Sequence, residues 1–381
     1  MHADYTQQHD VLVDTVLPLL KGALTFASHL HDTSSPSGSI GLVETFSPEW
    51  PTGPGPNASY DLALYRWGLE TAVKIAESTG QGSEMVDEWK DVLARLHLPF
   101  VDPATGYMIY SNKTYDQPHR HYSHLFQLFP LRHLDLTASD NYTIAATSLD
   151  TFLATPETDS LFYRPAAAAI NVALGRPLAA ISNISFLVVE SGRVENNTFY
   201  REGAQGSCTE TPYAAAWAMT DLLVHCGGRA AGVGREDDIV LFPGVPSVID
   251  VSAGGEALVA ASVAVSGFYN LVVAGGRRVS AMRHVTSSNS THVTTAVTWA
   301  AVTSPTMDYV VFQTDMPRPL AAYPQDVKLH EVGGDRVAIL PNTNNQTIVV
   351  YPASSGLKPP FVFKASAGQP ENFNYWGYRS V

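Results

Sequence analysis

Charged side chains are scarce in this sequence: Asp, Glu, Lys and Arg make up 15% of the 381 residues, and 45% of the residues are hydrophobic. This composition excludes intrinsic disorder and, at this length, allows a large core in two domains. Basic residues are fewer than acidic ones, 23 against 36, which gives a net charge of −13. Because the basic residues are also scattered, we expect no nucleic-acid partner and favour a neutral or basic one.

Long apolar runs are absent as well. Asp14 and Lys21 interrupt the most hydrophobic part of the N-terminal region, so no run reaches 18 residues. On this basis the sequence predicts no membrane-spanning helix, no membrane partner and no secretory signal peptide.

Glycosylation sequons, in contrast, are dense, because half of the asparagines lie in an Asn-X-Ser/Thr motif. This density favours a secreted protein or one of the secretory-pathway lumen, and therefore a glycoprotein. The missing signal peptide is consistent with this if the chain is truncated at its N-terminus. The sequons are Asn57, Asn112, Asn141, Asn183, Asn196, Asn289 and Asn345.

Cysteine is nearly absent, with Cys208 and Cys226 the two present. If the segment between them is one helix, a rise of about 1.5 Å per residue separates the sulfur atoms far beyond bonding distance. We therefore expect two buried thiols and no disulfide.

Apolar residues recur at helical spacing from residue 8 to about 226, and three stripes are predicted to face a core. Further helices are predicted over 120–134, 141–153, 163–174 and 210–226. The stripes are Leu12, Val16, Leu19, Leu20 and Leu24; Leu62, Leu69, Val73 and Ala76; and Val86, Trp89, Val92, Leu93 and Leu96.

After Gly227 the pattern changes to β-branched, alternating segments separated by Gly, Asn, Ser and Asp, which is typical of an antiparallel β-sandwich. The sequence thus predicts a helical domain over 1–230 and a β-sandwich domain over 238–381. The predicted strands lie within 239–246, 257–276, 292–303, 309–316, 336–341 and 347–353.

A long loop over 35–61 contains five prolines and four glycines, and a compact domain rarely keeps such a connection without a function. Within it Glu49 lies between Pro48 and Trp50, and its backbone is restricted by the prolines on both sides. An apolar indole neighbour is expected to raise the pKa of the Glu49 carboxyl, as a proton donor requires. Trp50 could equally stack on the apolar face of a sugar.

Three histidines, His119, His121 and His124, lie within six residues around Arg120. Imidazole and guanidinium groups can bind sugar hydroxyls. The same spacing is compatible with a zinc site, or with the polar end of an ordinary helix, and these readings stay open at this point.

Three stretches together resemble the catalytic region of glycoside hydrolase family 95, the inverting α-L-fucosidases and their relatives. "SPEW" is similar to the family's Ser-Pro-Glu motif, and "HRHYSHL" to its His-Arg-His-X-Ser-His-Leu segment. "TETPYAAAWAMTDLLVHC" with "IVLFPGVP" resembles the helix and strand that lead into the family's C-terminal β-domain. The resemblance covers residues 8–265.

The resemblance implies a multidomain α and β protein, a partial (α/α)₆ toroid followed by the β-sandwich. It implies a general acid at Glu49, and a base just before the helix that leads to the β-domain, where this sequence offers Glu210, with Asp159 in reserve. It also implies substrate binding by His119, Arg120 or His121, to which the sequence adds Trp50, and it implies no metal or other cofactor.

The family's N-terminal β-domain and first toroid half, with an asparagine pair that orients water, have no counterpart here. We therefore expect that a missing N-terminal half or a second chain supplies them. The leading hypothesis is a glycosidase for terminal α-L-fucose or a similar α-linked sugar, acting on an oligosaccharide or glycan. A carbohydrate-binding or catalytically incomplete protein and a metal-dependent hydrolase are the alternatives.

Overall fold

The computed structural model of the protein describes residues 8–34, 37–155, 160–194, 200–202, 206–226, 239–244, 265–273, 277–285, 293–300, 310–313, 319–323, 325–333, 336–339 and 347–353. Helices predominate in the described part up to Leu223, and strands form most of the described part after it. The change of sequence pattern near residue 227 thus marks a change of secondary structure. The boundary predicted at 227–238 itself lies outside the described residues.

The helices pack mainly against their neighbours in sequence. We label them α1 (Leu17–Ser28), α2 (Ser59–Thr79), α3 (Val86–Arg95), α4 (Ser139–Ala154), α5 (Arg164–Ala173), α6 (Pro177–Ser185) and α7 (Glu210–Leu223). Helix α1 lies on α2, α2 on α3, and α5 on both α6 and α7. Shorter helical turns are His9–Val11, Leu12–Val16, Ser83–Met85, Ser123–Leu125 and Phe186–Glu190.

Helix α2 shows how the sequence specifies these elements. Its predicted stripe is buried, with Leu62, Leu69 and Ala76 each at most 1% exposed. The helix ends where Gly80 adopts a φ of +73°, a conformation that costs glycine little and that closes the last turn. The stripe of α3 is likewise confirmed, since Trp89 is 3% exposed and packs in the same core.

Two predicted helices are wrong in part. Residues 120–134 form a short turn, Ser123–Leu125, followed by irregular turns instead of a helix. The helix predicted over 210–226 ends at Leu223, because its last three residues continue as a strand. In both segments apolar residues at helical spacing satisfy a buried environment without forming the helix.

The N-terminal helical segment, His9–Ser28, is exposed along one side. Leu17 and Leu24 are buried against α2, but Leu19, predicted to face the core, is 69% exposed. The π-helical turn Leu12–Val16 inserts an extra residue, which shifts the stripe that faces α2.

By length and composition His9–Ser28 could cross a membrane, with a mean hydropathy of 1.5 in spite of Asp14 and Lys21. Run length therefore does not exclude a spanning helix over His9–Ser28, and its absence stays a prediction. Such a helix alone does not establish a membrane span, because a core helix of a soluble protein or a signal sequence can have the same length and composition.

The strands form two five-stranded sheets and three two-stranded ones among the described residues. The first large sheet is antiparallel throughout. In the second, the strand Ile239–Leu241 runs parallel to the strand Val310–Gln313, contrary to the all-antiparallel expectation. The small sheets are β1 (His31–Asp32) with β2 (Gly41–Leu42), β3 (Val101–Asp102) with β4 (Gly106–Tyr107), and β5 (Tyr200–Glu202) with β6 (Gly206–Cys208). The first large sheet has the order β13 (Leu320–Tyr323), β16 (Thr347–Pro352), β11 (Val293–Ala300), β10 (Arg277–Val285), β9 (Val265–Val273); the second has β14 (Leu329–Gly333), β15 (Arg336–Ile339), β12 (Val310–Gln313), β8 (Ile239–Leu241), β7 (Val224–Cys226).

The two cysteines form no disulfide, as predicted. Cys226 is buried in β7, whereas Cys208 is half-buried at the end of β6, so the prediction of two buried thiols holds for one of them. The described sequons differ in exposure: Asn112 is exposed, but Asn183 is 5% exposed and its amide is bonded to Arg164 and Ala179. Asn196, Asn289 and Asn345 lie outside the described residues.

A buried ion pair connects the turn after the histidine-rich segment to α7 and β7. Arg132 donates to the carboxylate of Asp221 and, at 3.2 Å, to the carbonyl of Cys226. The Asp221 side chain is 3% exposed, and the guanidinium lies 5.1 Å from the centre of the Trp217 ring. Since a buried carboxylate is costly without a partner, Asp221 depends on Arg132.

Replacing Arg132 by Met should lower the free energy of unfolding by about 3–5 kcal/mol, because it leaves the buried Asp221 carboxylate with only the more distant His225, at 3.8 Å, beside it. Urea unfolding of Arg132→Met, followed by far-ultraviolet circular dichroism, measures the change. Arg95→Met is the matched control: its ion pair with Asp91 is exposed, and its loss should cost about 1 kcal/mol or less. Equal losses in the two variants would contradict the role given to Arg132.

Candidate active site

The loop predicted to carry a proton donor is ordered by bonds from buried groups. The Ser47 backbone N–H donates to the Tyr110 hydroxyl at 2.9 Å, and that hydroxyl donates to the Gly53 carbonyl at 2.8 Å. The Ser47 and Ser123 hydroxyls are 2.6 Å apart in a buried contact. Backbone bonds between Thr45 and Gly55 close the loop, so its two ends are fixed against the rest of the helical region.

Glu49 lies at the exposed tip of this loop in an unusual conformation. Its φ is +53°, in the left-handed region that non-glycine residues rarely adopt, and its side chain is 58% exposed. Such a backbone persists where the surroundings determine it, and it is enriched at functional sites. Gly55 lets the loop pack directly on the Tyr110 ring, because a Cβ at that position would lie 2.5 Å from the ring.

Trp50 does not have the role expected from the sequence. Its side chain is 3% exposed and packs on the rings of Tyr115 at 5.8 Å and His119 at 5.4 Å. A buried indole presents no face to a sugar in this conformation, so the structure does not support the assignment of Trp50 to substrate binding. Trp50 stabilises the base of the loop, while the Glu49 side chain points away from it towards other partners.

His119 likewise supports the loop from below. It is 8% exposed, its Nε2 lies 2.9 Å from the Pro48 carbonyl oxygen, and its backbone N–H donates to the Tyr115 hydroxyl. Because a carbonyl oxygen can only accept, the Nε2 carries the proton. His119 therefore fixes the peptide that precedes Glu49, and its burial gives no support to its assignment to substrate binding.

Arg120 and His121 both contact the Glu49 carboxylate. The guanidinium bonds it through Nε at 3.0 Å and through NH2 at 2.7 and 3.0 Å, and the His121 Nε2 lies 3.0 Å from it. The His121 bond and the Arg120 guanidinium hold the pKa of Glu49 below its ordinary value. The expectation that Trp50 raises this pKa is therefore wrong for the unliganded protein.

A second carboxylate, Glu202, was not among the candidates drawn from the sequence. It lies on β5, its side chain is 18% exposed, and its Oε1 accepts from the Arg120 NH1 at 2.8 Å. Burial raises the pKa of Glu202, but bonds from Ser160, Arg120 and Cys208 outweigh burial and leave the pKa below its ordinary value. A single acidic residue in a polar segment carries no sequence signal of this contact.

Glu210, the base candidate, opens α7 and is exposed. The Cys208 thiol donates to its carboxylate at 2.9 Å, and this bond, with backbone N–H groups of the helix start, lowers the pKa of Glu210. Thr209, directly before the helix, does not cap it through its side chain. Since Cys208 also contacts Glu202, the thiol lies between the two carboxylates. The reserve candidate, Asp159, lies outside the described residues.

His124 belongs to the core and not to the site. It is 2% exposed, and its ring stacks on Tyr115 at 4.9 Å and contacts Phe152 at 5.8 Å. Burial lowers its pKa to about 3. The three histidines therefore do not converge on one point, and the described residues contain no group of three His, Cys, Asp or Glu side chains that could hold a metal ion.

The cluster of Glu49, Arg120, His121, Glu202 and Glu210 has an excess of negative charge. Burial lowers the pKa of His121, so its ring is neutral at pH 7. The single positive charge of the Arg120 guanidinium therefore faces the negative charges of three carboxylates. A cleft of about 570 Å³ between α2 and α3 contains none of these residues. The chemistry is thus concentrated at the tip of the ordered loop.

Two carboxylates on one guanidinium, at the surface of a helical region followed by β-sheets, are compatible with a glycosidase-type enzyme. Residues 1–158 match the model of the glycosyl hydrolase family 95 catalytic domain, which confirms the resemblance for the segment that contains Glu49 and 119–125. This match supports a glycoside hydrolase domain, which implies a glycan substrate. It does not extend to Glu202 or Glu210. No curated protein sequence matches the chain.

A solved structure extends the likeness at the level of the fold. A chain described as a kojibiose phosphorylase from the human microbiome shares 11% identity at a TM-score of 0.52, over 91% of this chain and 49% of its own length. This chain therefore spans about half of that protein. A family 78 rhamnosidase of Bacillus sp. GL1 shares 12% identity at a TM-score of 0.48, over 75% of this chain and 30% of its own.

Replacing His119 by Ala should destabilise the protein by about 2–4 kcal/mol, because it leaves a cavity beside Trp50 and an unpaired carbonyl at Pro48. Urea unfolding gives the value, and His119→Gln, which keeps a donor, should recover part of it. His29→Ala is the matched control, since His29 is exposed and also contacts a backbone carbonyl; its effect should stay within about 0.5 kcal/mol. A similarly small effect at His119 would show that the loop does not depend on this side chain.

Proposed function

We propose that the protein is a glycosidase that hydrolyses a terminal α-linked sugar, foremost α-L-fucose, with inversion. The observation that supports this is that two carboxylates share the guanidinium of Arg120: its Nε and Nη2 donate to Glu49, and its Nη1 donates to Glu202. Inverting hydrolysis uses two carboxyl groups about 6.5–9.5 Å apart, with room for a water molecule between the base and the sugar.

In this proposal Glu49 is the general acid, at the position of the family's Ser-Pro-Glu motif, and Glu202 replaces Glu210 as the base. A base must be ionised, and the bonds from Ser160, Arg120 and Cys208 lower the pKa of Glu202. Glu202 is also the carboxylate that shares a partner with Glu49. Glu210 is connected to this pair only indirectly, because its carboxylate accepts from the Cys208 thiol. The His121 side chain is 23% exposed, and its Nε2 remains a candidate for binding the sugar.

Binding without hydrolysis is the second candidate function, and the state of Glu49 favours it. A general acid must carry a proton, whereas the pKa of Glu49 is lowered by His121 and Arg120 in the unliganded protein. A protein that keeps the loop and the histidine-rich segment but binds sugar alone would have no need of a raised pKa.

Phosphorolysis is the reaction suggested by the name of the phosphorylase neighbour. The charge of the cluster argues against it, because Glu49, Glu202 and Glu210 surround a guanidinium that two of them already neutralise. A phosphate dianion would meet a net repulsion there, whereas water and a neutral sugar would not.

We further propose that the helices are part of an (α/α)₆ toroid, the two large sheets stack as a sandwich, and additional protein, as a preceding half or a second chain, completes the site. The phosphorylase neighbour, of which this chain spans 49%, supports the first and last points. So do Leu19 and Phe26 on the outer side of His9–Ser28, which are 69% and 68% exposed. The buried residues Val279 and Ala281 on one face of β10 support the second. Exposed Asn112 supports a glycosylated, secretory-pathway protein.

Hydrolysis of a chromogenic α-L-fucoside should fall by about 10²–10⁴ in Glu49→Gln and in Glu202→Gln, while binding of free fucose persists. Glu210→Gln is the matched comparison and should fall much less. Rates and calorimetric affinities measure these effects, and the first-formed anomer, observed by NMR, reports inversion. A folded chain that binds fucose but never hydrolyses the fucoside would favour the binding function, and a larger loss in Glu210→Gln than in Glu202→Gln would restore Glu210 as the base.

Inorganic phosphate should leave the rate unchanged, and no sugar 1-phosphate should form, because the carboxylates repel the dianion. The measurement compares initial rates in phosphate and in chloride at equal ionic strength, since screening by salt alone alters charged sites. A rate that rises with phosphate and saturates, with the sugar phosphate as product, would show phosphorolysis.

A further inference from the structure

We propose that Arg120 positions Glu49 and Glu202 relative to each other, and that it is not a ligand of the sugar. This inference rests on the proposed function, because it concerns the two carboxylates that the function employs. It differs from the expectation drawn from the sequence, in which Arg120 binds substrate.

The donors of Arg120 are directed at protein acceptors on both edges of the guanidinium. Its Nε and NH2 bond the two oxygens of Glu49 at 2.7–3.0 Å, and its NH1 bonds Glu202 at 2.8 Å. The guanidinium presents its donors in one rigid plane, so each bond fixes the direction of the other. These bonds engage all three nitrogens of the guanidinium with carboxylates, and such charge-assisted bonds are stronger than a neutral bond to a sugar hydroxyl.

The two carboxylates have separate supports apart from this residue. Glu49 is held by the loop that His119 and Ser47 fix from below, and Glu202 is held by the short hairpin β5–β6 with Ser160 and Cys208. Within the described ranges, Arg120 is the side chain for which bonds to both carboxylates are seen. Their separation, on which room for the attacking water depends, is therefore set by the planar guanidinium.

The backbone position of Arg120 is itself well defined. His119, directly before it, is buried and bonded to Pro48 and Tyr115, and Tyr122, two residues after it, is 7% exposed. Ser123 is 1% exposed and bonded to Ser47. Arg120 therefore starts from a short segment that is held at both ends by buried residues, as a positioning residue must.

Lysine at this position separates geometry from charge. Its ammonium is a single point charge and cannot bond two carboxylates along the two edges of one plane. Arg120→Lys should therefore lower kcat by about 10²-fold and leave KM within about 3-fold, because the lost interaction orients the reacting groups instead of binding the sugar. Arg120→Gln removes the charge as well and should lower kcat further.

The pH profile provides a second readout. The charged and titratable groups that face Glu49 are Arg120 and His121, with His119 behind them. Those that face Glu202 are Arg120, Cys208 and Tyr200, with Glu210 beyond the thiol. Without the guanidinium the pKa of Glu202 rises, because burial then opposes ionisation with fewer bonds to offset it. The acid limb of kcat/KM in Arg120→Gln should therefore move to higher pH.

The test compares wild type, Arg120→Lys and Arg120→Gln by kinetics on the α-L-fucoside, and wild type and Arg120→Lys by crystal structure. Arg176→Lys is the matched control: Arg176 makes a similar two-oxygen contact, with Asp150, at 2.7 and 3.2 Å, away from the site. We expect the control to retain wild-type kcat, and the Glu49 and Glu202 carboxylates to change their separation in the Arg120→Lys crystal.

Two results would overturn the inference. A rise of KM by 10-fold or more at unchanged kcat in Arg120→Lys would identify Arg120 as a sugar ligand. Carboxylates that keep their separation in the Arg120→Lys crystal would show that their own loops position them. The structural readout needs no activity, so a wild-type chain without hydrolysis would contradict the proposed function alone and leave the positioning role to be decided by the crystal.

Discussion

The buried ion pair between Arg132 and Asp221 is the contact that holds together the histidine-rich segment, the last helix and the second large sheet. It joins the end of the histidine-rich segment to α7 and, through the Cys226 carbonyl, to the edge strand β7 of the second large sheet. Arg132 adopts a φ of +52°, which it keeps because the Asp221 carboxylate and the Trp217 ring both require the guanidinium at that place. The segment before Arg132 is thereby fixed at one end, and His119 and Ser123 fix it near the other.

This fixed segment explains why neighbouring polar residues have opposite environments. A helix would have placed His121 and His124 on one face, but the backbone before Ser123–Leu125 is irregular and gives the two rings different environments. His119 and His124 are buried, whereas Arg120 and His121 reach the surface and contact Glu49. Two of the three histidines thus serve to position the loop and to fill the core, and the third alone contacts the acidic cluster.

The sequence predicted the elements whose signal is local. The stripes of α2 and α3 and six of the strand segments appear where period and β-branching placed them. Predictions failed where the outcome depends on distant partners. Trp50 reads as an exposed ring beside Glu49, yet Tyr115 and His119 bury it. Glu202 has no distinctive neighbours in sequence, and only the folding of β5 against Arg120 gives it a role. Residues 120–134 carry a helical period that buried hydroxyl and imidazole contacts override.

The ionisation of Glu49 determines what the site can do. In the unliganded protein the His121 ring and the Arg120 guanidinium stabilise its charged form, so a proton donor exists only if its surroundings change. A sugar that displaced water from the exposed carboxyl and accepted the His121 donor would remove the leading cause of the low pKa and add a cost of desolvation. Arg120, engaged by Glu202 as well, would remain in place. Proton uptake by Glu49 would then be coupled to substrate binding, and the loop's rigidity would ensure that the protonated carboxyl stays where the carboxylate was.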